Sequence, residues 1–146
     1  ASDPWSEYYE MFICPQHSAH CPSVKRMHYT PWGYIARIER LHEVIDGAVL
    51  SAHIEAVTSG KDVRAAIDYF DAHEGIEDVD DWLILLESIA VRCPAHCRLD
   101  IHSHNIMQRS DGTLVITDPW CADDVDSVDC LLTWIEDELG DMHEPT

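Results

Sequence analysis

RLDIHSHNIMQRSDGTLVITDPW, residues Arg98 to Trp120, is the stretch from which the rest of the chain is read. Ile106 and Met107 form a short apolar pair. Ser110-Asp111-Gly112 is a turn signal, because Gly takes positive φ without steric cost. Leu114-Val115-Ile116 is a short β-rich run. Asp118 ends that run and stands against Pro119. The pattern is loop, strand, turn, strand, acid. A hairpin of this kind brings Asn105, at its entry, close to Asp118, at its exit, with Asp100 on the loop just before them.

Two acids and one amide on one edge suit phosphoryl transfer. A divalent cation takes oxygen ligands, and an Asp carboxylate and an Asn carbonyl supply them. A separate carboxylate accepts the proton of an attacking hydroxyl. Asp100, Asn105 and Asp118 are therefore the candidate site residues.

These residues resemble the catalytic loop and the metal-binding Asp of the protein-kinase superfamily, which implies Asp100 as the catalytic base and Asn105 and Asp118 as the metal ligands. The form Asp100-x-His102-x-x-Asn105 is closer to the aminoglycoside-kinase branch than to most protein kinases. More narrowly, DIHSHNIM followed by ITDP is similar to the early host-shutoff serine/threonine kinases of podophages that carry their own RNA polymerase. That family usually has Gly where this chain has His104, and it too follows the acid with Pro, as Pro119 does here. The resemblance runs in order from about Trp5 to Trp120. It implies that YIARIERL is the last small-lobe strand and hinge, with the backbone of Glu39 and Leu41 facing an adenine ring. It implies equally that LLESIAVRCPAHCRLD is the large-lobe helix leading into the catalytic loop.

The expected fold is therefore α+β, a reduced kinase-like fold in a single domain over residues 1–146. Residues 1–41 form a small-lobe remnant of one helix and two strands, and residues 42–146 form the large-lobe part, mainly helical. Such a length holds one domain with a real core.

The remaining elements follow from periodicity. Asp3 caps a first helix and Pro4 fits its first turn. Trp5, Tyr8, Tyr9 and Phe12 give that helix an aromatic face, with Glu7 and Glu10 on the other side. This is either the small-lobe helix, whose Glu would pair with the ATP-binding Lys, or a core-packing helix with solvated acids. Val24–Tyr29 and Tyr34–Ile38 read as strands around a Thr30-Pro31-Trp32-Gly33 turn. A helical period over His42–Thr58 closes at Gly60, and a second helix covers Asp62–Phe70. Asp80–Arg92 is a helix with acids at its start and a buried stripe of Trp82, Leu85, Leu86, Ile89 and Ala90. Asp123, Asp124 and Asp126 open a last helix whose apolar face runs from Val125 to Ile135.

Cys14, His17, His20 and Cys21 in CPQHSAHCP, and Cys93, His96 and Cys97 before the catalytic loop, make two clusters that suit zinc. The chain has 6 cysteines, 9 Lys and Arg, 28 Asp and Glu, and a formal charge of −19. With no signal peptide and no apolar run long enough to cross a membrane, the cysteines read as free thiols in a reducing bacterial host cytoplasm. The charge argues against nucleic acid as a direct ligand, since phosphates are repelled. It suits a host protein with a basic surface, or simply solubility.

The Gly-rich loop and strand Lys of a kinase have no counterpart here. The two lysines are Lys25, in a strand, and Lys61, in the helical region. The function expected first is thus that of a phage-derived, degenerate kinase fold. It would bind and inhibit a host protein or a nucleic-acid-handling defence complex through its acidic surface, with no required cofactor. The alternative is an active serine/threonine kinase that uses ATP and Mg²⁺ to phosphorylate host proteins.

Overall fold

Asp3 caps the first helix as the sequence predicts. In the computed structural model, which describes residues 3–122, its carboxylate accepts a hydrogen bond from the Ser6 amide at 2.9 Å. Pro4 sits in the first turn of α1, Pro4–Tyr8. The helix then widens into a π-helical turn, Tyr9–Ile13, closed by the Cys14 amide on the Tyr9 carbonyl at 2.8 Å. Tyr8 and Phe12 are fully buried, while Trp5 and Tyr9 pack at the edge of the core. The Tyr8 hydroxyl donates to the Ile116 carbonyl at 2.7 Å, so the polar end of this aromatic is satisfied inside the protein.

A hairpin follows. β1, Val24–Thr30, and β2, Gly33–Ile38, are antiparallel with Thr30 opposite Gly33. The next element departs from expectation. His42 does not open a helix; His42–Glu43 is a short strand, β3, paired with Gln108 and Met107. The helix α2 covers Gly47–Ser59. Tertiary pairing overrides local period here, because the two residues satisfy a sheet edge that periodicity does not reveal. Gly60, at φ 78°, caps α2 as expected, its amide bonding to the Ala56 and Val57 carbonyls.

α3, Val63–Ala72, and α4, Val79–Val91, complete the helical layer. The Asp78 carboxylate caps α4 by accepting from the Asp80 and Asp81 amides. Trp82, Leu85, Leu86 and Ile89 are fully buried. Ala90, at the end of that predicted stripe, is half-buried. A turn closed by the Cys97 amide on the Pro94 carbonyl then leads into β4, Cys97–Leu99. β5, Ile106–Gln108, and β6, Leu114–Ile116, form the expected hairpin, and with β3 they make a three-stranded sheet in the order β3-β5-β6. β7, Trp120–Ala122, returns antiparallel to β4.

The result is a mixed helix and strand fold of the α+β class. Its core joins Tyr8 and Phe12 to Leu50, Ile54, Phe70, Trp82, Leu114, Ile116 and Trp120. The first helix therefore packs on the same core as the hairpin that carries the candidate acids. Gly75 allows the tightest approach in that region. A Cβ there would lie 2.7 Å from both the Gly112 carbonyl and the Leu114 side chain. Among the described residues, no helix is long and apolar enough to cross a membrane. The helix expected from Asp123 onward lies outside the described residues.

Candidate functional site

The hairpin draws Asp100, Asn105 and Asp118 to one edge by backbone bonding. Ile106 pairs with Ile116. One residue further out, Thr117 donates to the Asn105 carbonyl from its amide at 2.9 Å and from its hydroxyl at 3.1 Å. On the other side of Asp118, the Asp100 amide donates to the Pro119 carbonyl at 2.7 Å. Asp118 is thus held between one tie to Asn105 and one to Asp100.

Asn105 is oriented by Asp100. Its Nδ2 donates to the Asp100 carbonyl at 2.7 Å and lies 3.4 Å from an Asp100 carboxylate oxygen. With the nitrogen engaged, the amide oxygen is the end left to meet a cation. His102 flanks the pair, its Nε2 3.2 Å from Asn105 Nδ2 and 3.5 Å from the Asp100 carboxylate. A cleft of about 380 Å³ opens beside Asp100, bordered by Leu99, Ile101, His102, Glu55, Thr58 and Ser59. His104, in the place where the kinases it resembles usually carry Gly, is exposed and turns its ring edge to His102, 5.6 Å away.

Asp118 is electrostatically unsatisfied. Its Oδ1 is buried without a hydrogen-bond partner. Burial first, then the charges of Asp100 and Asp3, push its carboxyl from the usual 3.8 up to about 6. A half-buried carboxylate with two like charges nearby and one oxygen without a donor is suited to meet a cation. The donors fit a hard divalent ion such as Mg²⁺, which takes carboxylate and carbonyl oxygens and completes its shell with water and phosphate.

Three residues reach this edge through contacts that the sequence pattern does not show. Asp3, read as a helix cap, is also the first-helix acid whose charge reaches Asp118. Tyr34 from β2 donates to Asp3 at 2.9 Å and stacks on Trp5 at 5.7 Å. Trp5 Nε1 donates to the Thr117 carbonyl at 3.1 Å. The kinase resemblance expects a Glu of the first helix near the nucleotide. Glu7 instead faces His96 at 3.1 Å, because its position on α1 turns it toward the β4 end of the fold.

Glu39 occupies a different environment. Its carboxylate receives the Arg109 guanidinium at 2.6 and 2.9 Å and the Ser23 amide at 2.7 Å. The bond from Arg109 is the main cause holding its carboxyl below the usual 4.5. Its backbone amide donates to the Ser23 carbonyl at 2.9 Å. Leu41 lies half-buried in the link between β2 and β3.

The two Cys/His clusters separate. Cys14 is exposed. His17 turns its ring edge to Phe12, 5.1 Å away. His20 places Nδ1 2.8 Å from the Leu114 carbonyl. Cys21 is buried with the Tyr8 hydroxyl 3.8 Å from its sulfur. These four side chains meet different partners. Among the described residues the set that converges as metal ligands is Glu7, His96 and Cys97, whose ligand atoms all lie within 4.8 Å of one another. His96 and Cys97 stand out in the sequence; Glu7 does not, being far away along the chain. Cys93 is half-buried and outside this set.

No protein-family model, curated protein or solved structure matches this chain.

Proposed function

We propose that the edge formed by Asp100, Asn105 and Asp118 carries out kinase-type phosphoryl transfer to a serine or threonine hydroxyl of a host protein. The observation that carries this reading is the half-buried Asp118 carboxylate, one oxygen of which is buried without a hydrogen-bond partner, and whose carboxyl is pushed up to about 6. Such a group is costly unless a cation meets it.

Asp118 and the Asn105 amide oxygen would hold Mg²⁺. When bound with ATP, the ion neutralises charge on the transferring phosphate. Asp100 orients Asn105 through its carbonyl, and its carboxylate accepts the proton of the attacking hydroxyl. The cleft beside Asp100 admits an extended segment of a substrate, with Glu55 at its border. The resemblance to podophage host-shutoff kinases supports a reduced kinase-like architecture and an anti-host role in the bacterial cytoplasm.

The test is thermal stability with millimolar Mg-ATP. A ligand that binds only the folded state stabilises it by RT ln(1 + [L]/Kd), about 2.7 kcal/mol at a hundredfold excess over Kd. Wild type shifts upward, and Asp118→Ala removes the shift. A wild type that does not respond sinks the reading.

A second reading rests on the formal charge of −19. The fold would then be degenerate and need no cofactor, and it would occupy a basic surface on a host enzyme or defence complex. Its binding weakens steeply with salt and is indifferent to Asp100→Ala and Asp118→Ala. A host complex that forms equally well at high salt overturns it.

A further inference from the structure

We infer that Glu7, His96 and Cys97 form a transition-metal site, matched to Zn²⁺, that ties the first helix to the turn before β4. It lies outside the Asp100 edge and does not depend on the phosphoryl-transfer reading.

The geometry carries the inference. Glu7 comes from α1, and His96 and Cys97 come from the Pro94–Cys97 turn. One carboxylate oxygen, one imidazole nitrogen and one thiol sulfur lie within 4.8 Å of one another. Zn²⁺ binds sulfur at about 2.3 Å and nitrogen or oxygen at about 2.0–2.2 Å. Tetrahedral ligands at those lengths sit roughly 3.3–3.8 Å apart, so small side-chain adjustments seat the ion.

A second observation concerns the same atoms. Glu7 Oε2 and His96 Nε2 are both buried, and neither makes a hydrogen bond of acceptable geometry, although they are only 3.1 Å apart. An oxygen acceptor and a ring nitrogen 3.1 Å apart without a hydrogen bond between them, and with a thiol sulfur within 4.8 Å, are spaced as metal ligands can be. The donor set points to zinc over Mg²⁺ or Ca²⁺, because thiolate and imidazole favour softer, tetrahedral ions. Three protein ligands leave one tetrahedral position for water or an incoming donor.

The metal holds α1 against the β4–β7 ribbon. Two consequences follow from that position. Zn²⁺ raises the thermal stability of the whole fold, and it does so without Mg-ATP. It also fixes the helix that presents Asp3 to the Asp118 edge.

The experiment is Co²⁺ titration of the full chain in a non-thiol reductant, followed by Zn²⁺ displacement. The expected result is one equivalent of Co²⁺ with tetrahedral visible bands and a thiolate charge-transfer band in the near ultraviolet, all erased by Zn²⁺. Cys97→Ser loses the charge-transfer band. Glu7→Gln and His96→Ala weaken Co²⁺ affinity by about tenfold or more. The His96 side chain is 40% exposed, so His96→Ala keeps the test open even if Cys97→Ser folds poorly. Folded wild type that gives no band at saturating Co²⁺ overturns the site. So does a band that survives both Cys97→Ser and His96→Ala, since the ion would then sit on other ligands.

Discussion

Two acids on opposite sides of the β5–β6 hairpin show how this fold treats a half-buried charge. Glu39 is fully provided for. Arg109 reaches it with two nitrogens, the Ser23 amide adds a third donor, and the same guanidinium also bonds to the Ala19 and Cys21 carbonyls. Asp118 has none of this. One oxygen is buried with no donor, and its charged neighbours are Asp100 and Asp3. The first arrangement joins the residue 18–24 loop, the end of β2 and the hairpin into one body. The second holds electrostatic strain at an edge. The contrast with Glu39 is what the proposed cation at Asp118 would explain, since stability alone does not require an acid without a donor there.

The largest effects that sharpen this contrast are on chemistry. On the proposed phosphoryl-transfer reading, Asp100→Ala lowers phosphotransfer by about 10²–10⁴-fold, the usual contribution of a positioned acid or base. Mg-ATP binding, read by the thermal shift, survives that change because Asp118 and the hairpin backbone remain. A transfer rate unchanged in Asp100→Ala denies it the role of base. Next in size is the clamp. Arg109→Met leaves Glu39 without its cation and two carbonyls without their donor. The pair is partly exposed, so the expected loss is roughly 2–3 kcal/mol, less than for a fully buried pair. A fall in the urea midpoint checks it. Should Arg109→Met also abolish the Mg-ATP shift, the two regions are not separate and the comparison breaks.

Local signals made much of the fold legible. Asp3 and Pro4, the Thr30–Gly33 turn, Gly60 and the Trp82–Ile89 stripe each specify an element through a cap, a turn or a period, and each element is there. The hairpin around Asp111-Gly112 was legible for the same reason, and it is what brings Asn105 to Asp118. What did not show was long-range. β3 is short and pairs with a distant strand, so its two residues read as helix. β4 and β7 exist only because they pair with each other. The hinge expectation for Glu39 concerns its backbone; that its carboxylate is held by Arg109 is announced by nothing near either residue. Glu7 was read as a solvated acid or a partner of a nucleotide-binding Lys; it meets His96 because α1 packs on the β4 side. Of the two Cys/His clusters, His96 and Cys97 do come together, and the third group beside them, Glu7, is supplied only by the tertiary fold. Local chemistry writes itself into sequence; pairing between distant segments writes only one half at each place.

The smallest and most diagnostic effect is the response to pH, where the two acids pull in opposite directions. The carboxyl of Asp118 is raised in the folded protein, from 3.8 to about 6. Protonation therefore favours the fold. That contribution is fully present below pH 4 and is lost as pH rises through about 6. Glu39 is lowered from its usual 4.5. Its contribution is present above pH 4.5 and is lost as pH falls through the depressed value. Between pH 4.5 and 6, Asp118 thus makes stability decline with rising pH, while Glu39 contributes a flat term. Asp118→Asn keeps the shape, removes the charge and should erase that decline. The variant should be more stable than wild type at pH 7, yet blind to Mg-ATP. Denaturant midpoints across this window read both halves at once. An Asp118→Asn protein no more stable than wild type at pH 7 would mean that the carboxylate is already satisfied, and the case for a cation there would fall with it. If the variant gains stability and loses nucleotide binding together, strain and function reside in the same oxygen.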